Sequence, residues 1–422
     1  MPEIYPFHGW RYNPEKVSDL SRVLAPPYDV ISPQEQQNLY QSSPYNFVRL
    51  ILNHNQGDER YHDAARALRE WTANEGIVRD REPGLYLMDQ KFEVRGESVT
   101  RSGIIGALEL EELGENILPH EQTIDKHIKD RYRLMEETGT NLGQIFMSFR
   151  DESMAVESIA KKRREAPPLL DVDIPGHARY RLWNITSESD IRNIRQTLAS
   201  TTAIIADGHH RYKTALQFAG DHPEVPGSDR VMVSLINAYN PGMLVLPTHR
   251  LVSNVQIEPD RLRSELGKYF HLEETGSPGE TINRLRANHE AEGIHLGFYH
   301  KPSEMSLMLT FRREELLETE FPGASTEYRT LDVTILHHFL LKQLLNLDTE
   351  NQEDLERVKY IRGNVPVTKM LQQERDYDVA CFVNPPDFDT IFSIAESGRT
   401  LPQKTTYFFP KIYSGLVFRR LE

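Results

Sequence analysis

The segment that constrains this chain most runs from Ala203 to Ala219, with the sequence AIIADGHHRYKTALQFA. Ile204, Ile205 and Ala206 form a short apolar run, while Ala215, Leu216, Phe218 and Ala219 mark one face of a helix. Asp207-Gly208 lies between them, so the stretch reads as strand, tight turn, helix, with both residues suited to capping. The first N–H groups of a helix have no internal partner and its dipole is positive there, which makes such a turn an anion site. Gly208 gives a phosphate room to approach. His209, His210, Arg211 and Lys213 then crowd cationic or hydrogen-bonding side chains into the first turn. The plainer alternative is a capped surface helix facing water; two adjacent histidines followed by arginine are what argue for phosphate handling.

A chain of 422 residues can bury a substantial core and is expected to form two lobes. With 49 basic and 63 acidic residues its net charge is −14, which argues against a general binder of nucleic acid or membrane surfaces. The single cysteine, Cys381, excludes an internal disulfide framework and a cysteine-based zinc site and fits a reducing cytoplasm. Met1-Pro2-Glu3-Ile4-Tyr5 shows no basic segment followed by an apolar run, and no later stretch is apolar enough to span a bilayer. A cytoplasmic location is therefore expected.

Along the chain, Ile4 to Tyr12 reads as a first strand and turn. Val23 to Ile31 holds Pro26 and Pro27, which stiffen a loop able to present Tyr28 and the Asp29 carboxylate; Asp29 capping a helix at Ser32-Pro33 is the alternative. A short helix is expected from Pro33 to Tyr40, a strand from Phe47 to Leu52, and an amphipathic helix from Tyr61 to Glu75. Gly84 to Val94 and Arg101 to Leu110 pair around a turn at Arg95-Gly96-Glu97.

Leu118 to Thr123 leads into a helix over Asp125 to Glu137, with Ile124, Ile128 and Leu134 as its stripe. His120 and Glu121, with Asp130-Arg131 further along, are functional-looking groups; a glutamate near a phosphate can act as general base or help hold Mg²⁺. Asp125 and Lys126 read as ordinary helix-end and surface charges. Asn141 to Phe149 and Ala178 to Ile185 read as strands, Ser153 to Arg164 and Ser187 to Ala199 as helices, and Arg230 to Tyr239 as a strand. The central turn thus has a strand-helix-strand context.

Thr248-His249-Arg250 is read either as a His-Arg pair at a sheet edge or as a bland turn. A second α+β texture follows, with helices at Leu262 to Phe270 and Thr281 to His289 and strands at Gly293 to Tyr299 and Met305 to Phe311. Asp332 to Leu345 is an apolar helix whose His337 and His338 read as packing histidines, and Asp378 to Val383 is a strand with Cys381 as a buried hydrophobe. The aromatic tail around Tyr407, Phe408 and Phe409 must dock, which would position Lys404, Thr405, Thr406 and Lys411 as a second phosphate clamp. An edge strand protected by lysines is the competing reading.

Asp207 to Tyr212 resembles the Gly-x-x-Arg phosphate turn of the ParB and sulfiredoxin fold and of the free-serine kinases built on it. His209 stands where sulfiredoxin has its cysteine, and ParB's Glu-Arg-Arg version is absent. Through Ala25 to Ile31, Pro119-His120-Glu121 with Asp130-Arg131, Asp207 to Tyr212 and Lys404 to Lys411, the chain is similar to a bacterial and archaeal domain-of-unknown-function family, number one thousand and fifteen. The resemblance implies an α/β, overall α+β, fold. It would comprise a ParB/sulfiredoxin-like mixed-sheet core over residues 1–250, a second α+β lobe over 251–395 and a segment 396–422 docking back on the core.

The resulting reading is a small-molecule phosphotransferase, with L-serine as the acceptor the resemblance implies and ATP or pyrophosphate as donor. Asp207, Gly208, His209, His210 and Arg211, with Lys404, Thr405, Thr406 and Lys411, would hold the donor. Glu121 or Asp29 would take the hydroxyl proton or bind Mg²⁺, and His120 or His210 would orient the phosphoryl group. No Gly-x-x-x-x-Gly-Lys-Ser/Thr loop is present. A ParB-like nucleotide-responsive clamp and a phosphomonoester hydrolase are the alternatives. The expected partner is a small molecule, with no nucleic acid or membrane and with a homodimer left open.

Overall fold

A computed structural model describes residues 1–94, 96–121, 126–289, 291–349, 351–364 and 366–422. The chain is α+β and divides into two compact units. The first comprises Met1–Pro119, Thr123–Leu244 and Pro410–Glu422, and the second His120–Gln122 and Val245–Phe409. Arg95 of the expected hairpin turn, and Gln122, Thr123, Ile124 and Asp125 at the expected helix start, lie outside the described residues.

Among the described residues, a nine-stranded mixed sheet forms the frame of the first unit. Its strands are β1 (Ile4–Tyr5), β2 (Leu85–Val94), β3 (Glu97–Glu109), β4 (Ile117–Pro119), β5 (Ile145–Phe149), β6 (Leu170–Ile174), β7 (Ala178–Ile185), β8 (Ala203–Asp207) and β9 (Arg230–Asn237). They lie in the order β4-β8-β5-β9-β3-β2-β7-β6, with β1 paired to β3. β8 runs parallel to β4 but antiparallel to β5, whereas β9 runs parallel to β5. The expected strand-helix-strand order is present, but β8 and β9 flank β5 and run in opposite directions, so the intervening helix is no parallel crossover. The long hairpin of β2 and β3 is fully paired from Tyr86↔Ile105 to Val94↔Glu97.

One face of this sheet is covered by Ala155–Arg163, Glu188–Ala199 and His209–Asp221, which we label α1, α2 and α3. Val156 and Ala160 of α1, Ile191, Ile194 and Leu198 of α2, and Tyr212 and Ala215 of α3 join one buried cluster with Ile145, Ile205 and Val233 of the sheet. The segment expected as a strand from Phe47 to Leu52 is instead a helical turn, Val48–Ile51. The Asn46 side chain accepts from the Val48 amide and donates to the Arg22 and Leu24 carbonyls, a local capping arrangement that overrides the β-propensity of the apolar run. Ser32, not Asp29, caps the next helix, Pro33–Ser42.

The second unit holds its own seven-stranded sheet among the described residues. The strands are β10 (Leu244–Val252), β11 (Phe270–Thr275), β12 (His295–His300), β13 (Met305–Phe311), β14 (Val358–Arg362), β15 (Val379–Phe382) and β16 (Thr406–Phe409), ordered β11-β13-β12-β15-β10-β14 with β16 paired to β10. His249 and Arg250 do not sit at an edge or in a turn: β10 lies between β15 and β14, and both residues are buried. The expected helix from Leu262 ends at Leu266, and Phe270 begins β11. Asp332–Ile335 is α-helical, but Leu336–Leu344 continues as a π-helix, with Leu336, Phe339, Leu340 and Leu341 in the core. His337 is partly buried and accepts from Arg250 Nε at 3.2 Å, as a packing histidine would.

Candidate functional site

The turn after β8 is built by a conformation that few residues adopt. Gly208 has φ 99° and ψ 27°, and no side chain caps the helix it opens. A Cβ there would meet the Arg211 Nη2 at 2.9 Å and Cζ at 3.0 Å. The room that Gly208 leaves is thus filled by the guanidinium of Arg211, laid across the turn from one helical turn ahead.

Asp207 does not cap either, because its carboxylate is used by two cations. Arg211 Nη2 donates to Oδ2 at 2.8 Å, and Lys411 Nζ donates to Oδ1. Burial would raise the Asp207 carboxyl, but Lys411 and Arg211, with His209 further off, outweigh it and hold the group well below the ordinary carboxylate value. The three side chains are 15, 18 and 13 % exposed for Asp207, Arg211 and Lys411. Arg211 and Lys411 thus both face the Asp207 carboxylate. Arg211 Nη1 also donates to the Gln144 carbonyl, so the guanidinium is fixed on two sides.

Lys411 reaches this turn because the backbone around it is clamped. Gln90 and Arg101 face each other across the β2–β3 hairpin. Gln90 Nε2 donates to the Lys411 carbonyl at 3.1 Å and to the Tyr180 hydroxyl at 2.7 Å. Arg101, fully buried, donates to Gln90 Oε1 and to the Pro410 carbonyl. Tyr180 donates to the Lys411 carbonyl at 3.2 Å and accepts from the Tyr413 amide at 3.1 Å. Sequence reasoning missed all three residues. A signal existed: positions 90 and 101 are equidistant from the hairpin turn and so fall opposite each other.

Tyr28 and Asp29 sit in a short 3-10 turn of the same unit. Asp29 is exposed, and the Arg131 guanidinium lies 4.0 Å above the Tyr28 ring. Burial raises the Tyr28 hydroxyl, opposed by the nearby charges of Arg131 and Arg211. Arg131 itself is held by Asp130, with Nε at 2.8 Å, and by the Ile51 carbonyl at 2.8 Å, so the Asp130-Arg131 pair knits helices together. Asp130 also accepts from Tyr61 at 2.9 Å. His209 and His210 are partly exposed on the first turn of α3.

His120, Glu121, Lys404, Thr405 and Thr406 belong to the second unit. Glu121 lies in a parallel bridge with Leu401, not on a helix. Its Oε1 accepts from the Thr406 amide at 2.9 Å and the Thr406 hydroxyl at 2.7 Å, and His120 Nε2 lies 2.7 Å from the same hydroxyl. Burial would raise the Glu121 carboxyl, but His120 and both Thr406 donors outweigh it and hold it well below its ordinary value. A carboxylate so stabilised is a weak proton acceptor. Thr405 is buried and its hydroxyl turns back to the Pro402 carbonyl at 2.6 Å, while Lys404 is exposed at φ 57° and its carbonyl accepts from Arg250 at 3.3 Å.

Among the described residues no group of three or more His, Cys, Asp or Glu is placed to hold a metal ion, and no helix is long and apolar enough to cross a membrane. A search of curated proteins finds no match. Among solved structures, the chain is similar to a free serine kinase mutant in complex with ADP, at 11 % identity and a TM-score of 0.35, over 69 % of this chain and 83 % of that one. It is similar to a conserved hypothetical protein from Pyrococcus furiosus at 13 % identity and a TM-score of 0.32, over 71 and 92 %. It is also similar to SbnI with a C-terminal truncation from Staphylococcus aureus at 9 % and 0.35, over 74 and 85 %. Superpositions this loose carry no functional weight. The family model described as protein of unknown function, DUF1015, matches residues 4–334, and the chain belongs to that family.

Proposed function

We propose that the protein is a small-molecule phosphotransferase whose donor phosphates, from ATP or pyrophosphate, settle at the start of α3. The observation that carries this reading is the helix opening at Gly208 without a side-chain cap, with Arg211 and Lys411 meeting there over the Asp207 carboxylate. The forked guanidinium of Arg211 suits phosphate oxygens and the ammonium of Lys411 adds a point charge; both would neutralise the charge spread over a phosphoryl group in transfer. His209 and His210, on the first helical turn, would orient the non-transferred oxygens. The transfer joins an acceptor hydroxyl oxygen to the terminal phosphorus and releases the shortened donor, and the hydroxyl proton passes to a carboxylate, for which exposed Asp29 is our first choice.

Mg²⁺ usually binds through one or two carboxylates and the substrate phosphates, so the absence of a three-ligand cluster among the described residues is compatible with it; Asp29 would be its protein ligand as the alternative to acting as the base. L-serine is the acceptor that the resemblance implies. Calorimetric titration with pyrophosphate and ATP, followed by turnover assays with L-serine as acceptor and phosphoserine in reverse, tests the reading. Arg211→Lys, which keeps the charge but loses the fork, is expected to weaken pyrophosphate binding at least tenfold. Donor hydrolysis without any acceptor would identify a hydrolase, and nucleotide binding without turnover a regulatory clamp. Glu121→Gln tests whether the second unit's carboxylate takes part: unchanged turnover would confine it to tying Thr406 in place.

A further inference from the structure

A cavity of about 70 Å³ lies within the first unit beside the same arginine. It is several times larger than the ~10–15 Å³ that a single water needs, which is room for a group of a few heavy atoms. Leu134, Leu142, Ala215 and Val231 give it an aliphatic wall. Ser414 also lines it, 8 % exposed and fixed by backbone bonds to Ala25 at 2.8 and 3.3 Å, yet its hydroxyl has no hydrogen-bond partner among the described residues. The Tyr28 hydroxyl on the same wall has none either, and burial raises it, so it stays a donor. Arg211 commits two of the five N–H groups of its guanidinium, Nη1 to the Gln144 carbonyl and Nη2 to Asp207. Gly143 keeps the space beside it open: a Cβ there would stand 3.1 Å from Arg211 Nη1 and 3.6 Å from Ser414 Oγ, so a small group against Gly143 reaches both. Asn141 Oδ1 is taken by the Met232 amide and by Arg419, each at 3.1 Å, so that side chain has only N–H to offer. Among the described residues no Asp or Glu lines the cavity.

What the wall has to spare is O–H and N–H donors and arginine charge, with no carboxylate of its own, and that combination selects an anion. The aliphatic residues then select between anions. Burying charge costs more the more charge there is, and a carboxylate brings one negative charge where a phosphate group brings about two. Resting on the phosphotransferase reading, we infer that this cavity takes the carboxylate of the phosphoryl acceptor, with the Ser414 and Tyr28 hydroxyls and Arg211 donating to its oxygens, so that the acceptor class is a small hydroxy acid. Arg211 also lies across the phosphate turn, so a carboxylate held beside it brings the acceptor hydroxyl next to the donor phosphates.

The test titrates the full chain by calorimetry with L-serine, with 3-hydroxypropionate, which keeps only the hydroxyl and the carboxylate, and with ethanolamine, which is serine without its carboxylate, each with and without pyrophosphate present. Pyrophosphate and inorganic phosphate are titrated separately. Both hydroxy acids are expected to bind, and ethanolamine about a hundredfold more weakly. Ser414→Ala and Tyr28→Phe each remove a hydroxyl that holds no other part of the protein, so both variants should keep the wild-type melt, weaken hydroxy-acid binding about tenfold and leave pyrophosphate affinity as it is. Ethanolamine binding as tightly as serine, or hydroxy-acid affinity unchanged in both variants, would overturn the inference. So would inorganic phosphate losing affinity in both variants as steeply as the hydroxy acids do, which would give the cavity to phosphate. Should pyrophosphate fail to bind while the hydroxy acids behave as expected, the phosphate reading falls and the carboxylate site stands; pyrophosphate binding with neither hydroxy acid bound overturns the carboxylate site alone.

Discussion

At the scale of single residues, the site turns on Asp207, which the sequence marked as a cap and the structure uses as a counter-ion. Its carboxyl is held below the value it would have unfolded, about 4. The stabilisation is therefore present above that pH and is lost as pH falls through the folded value. Asp207→Asn should cost roughly 3 kcal/mol at pH 7 by leaving two partly buried cations without a counter-charge. The gap from wild type should hold between pH 7 and pH 5 and narrow when urea midpoints are taken at pH 3, and a gap unchanged at pH 3 would remove the ion pairs from the account. Gly208→Ala is expected to destabilise by about 1–2 kcal/mol, through the cost of a left-handed conformation and the collision with Arg211, and to loosen pyrophosphate binding. Equal melting temperatures for wild type and variant would contradict this. The residues of the turn were legible because Asp-Gly, paired histidines and arginine follow one another in sequence. Their pairing was not, since Lys411 lies 204 positions from Asp207 and no local pattern encodes such a contact.

At the scale of elements, strands and helices with clear periodicity were legible: β13 spans the predicted Met305 to Phe311, and β7 the predicted Ala178 to Ile185. Errors fell where a local hydrogen bond or a tertiary neighbour overrode propensity. Asn46 winds Val48–Ile51 into a helix, and burial in mid-sheet claims His249 and Arg250, whose polarity suggested an edge. Burial pushes the His249 imidazole down to about 3, with the neighbouring charge of Arg250 adding to it, which marks how far this pair lies from water. The clamp on the tail is the element most open to test. Tyr180→Phe removes the hydroxyl shared by Gln90, the Lys411 carbonyl and the Tyr413 amide. A loss of about 1–3 kcal/mol is expected from the buried groups left unpaired, with weaker pyrophosphate binding as Lys411 shifts. Stability falling while affinity holds would separate the clamp from the site.

At the scale of the whole molecule, the backbone passes between the units at residues 119/120, 122/123, 244/245 and 409/410, so neither unit is one continuous segment. Length led to an expectation of two lobes and the aromatic tail to one of a segment returning to the core, while the exact points of crossing depend on where single segments find partners. A chain ending at Leu244 is expected not to fold, because Arg101, Gln90 and Tyr180 would lose the carbonyls of Pro410 and Lys411, and Phe47 would lose Phe418, 5.6 Å away ring to ring. A peptide spanning residues 410–422 added in trans should restore a cooperative melt by circular dichroism; a cooperative melt without it would show the tail to be dispensable.

The lysine that answers Asp207 has a consequence for biosynthesis. With 204 positions between the two, a ribosome adding roughly 5–20 residues per second makes the acid about 10–40 seconds before its cation. Through that interval the nascent first unit holds a carboxylate that it cannot bury in its final form. Nearly all of the second unit is made in the meantime, so the protein's second core has its chance to form before its first is sealed.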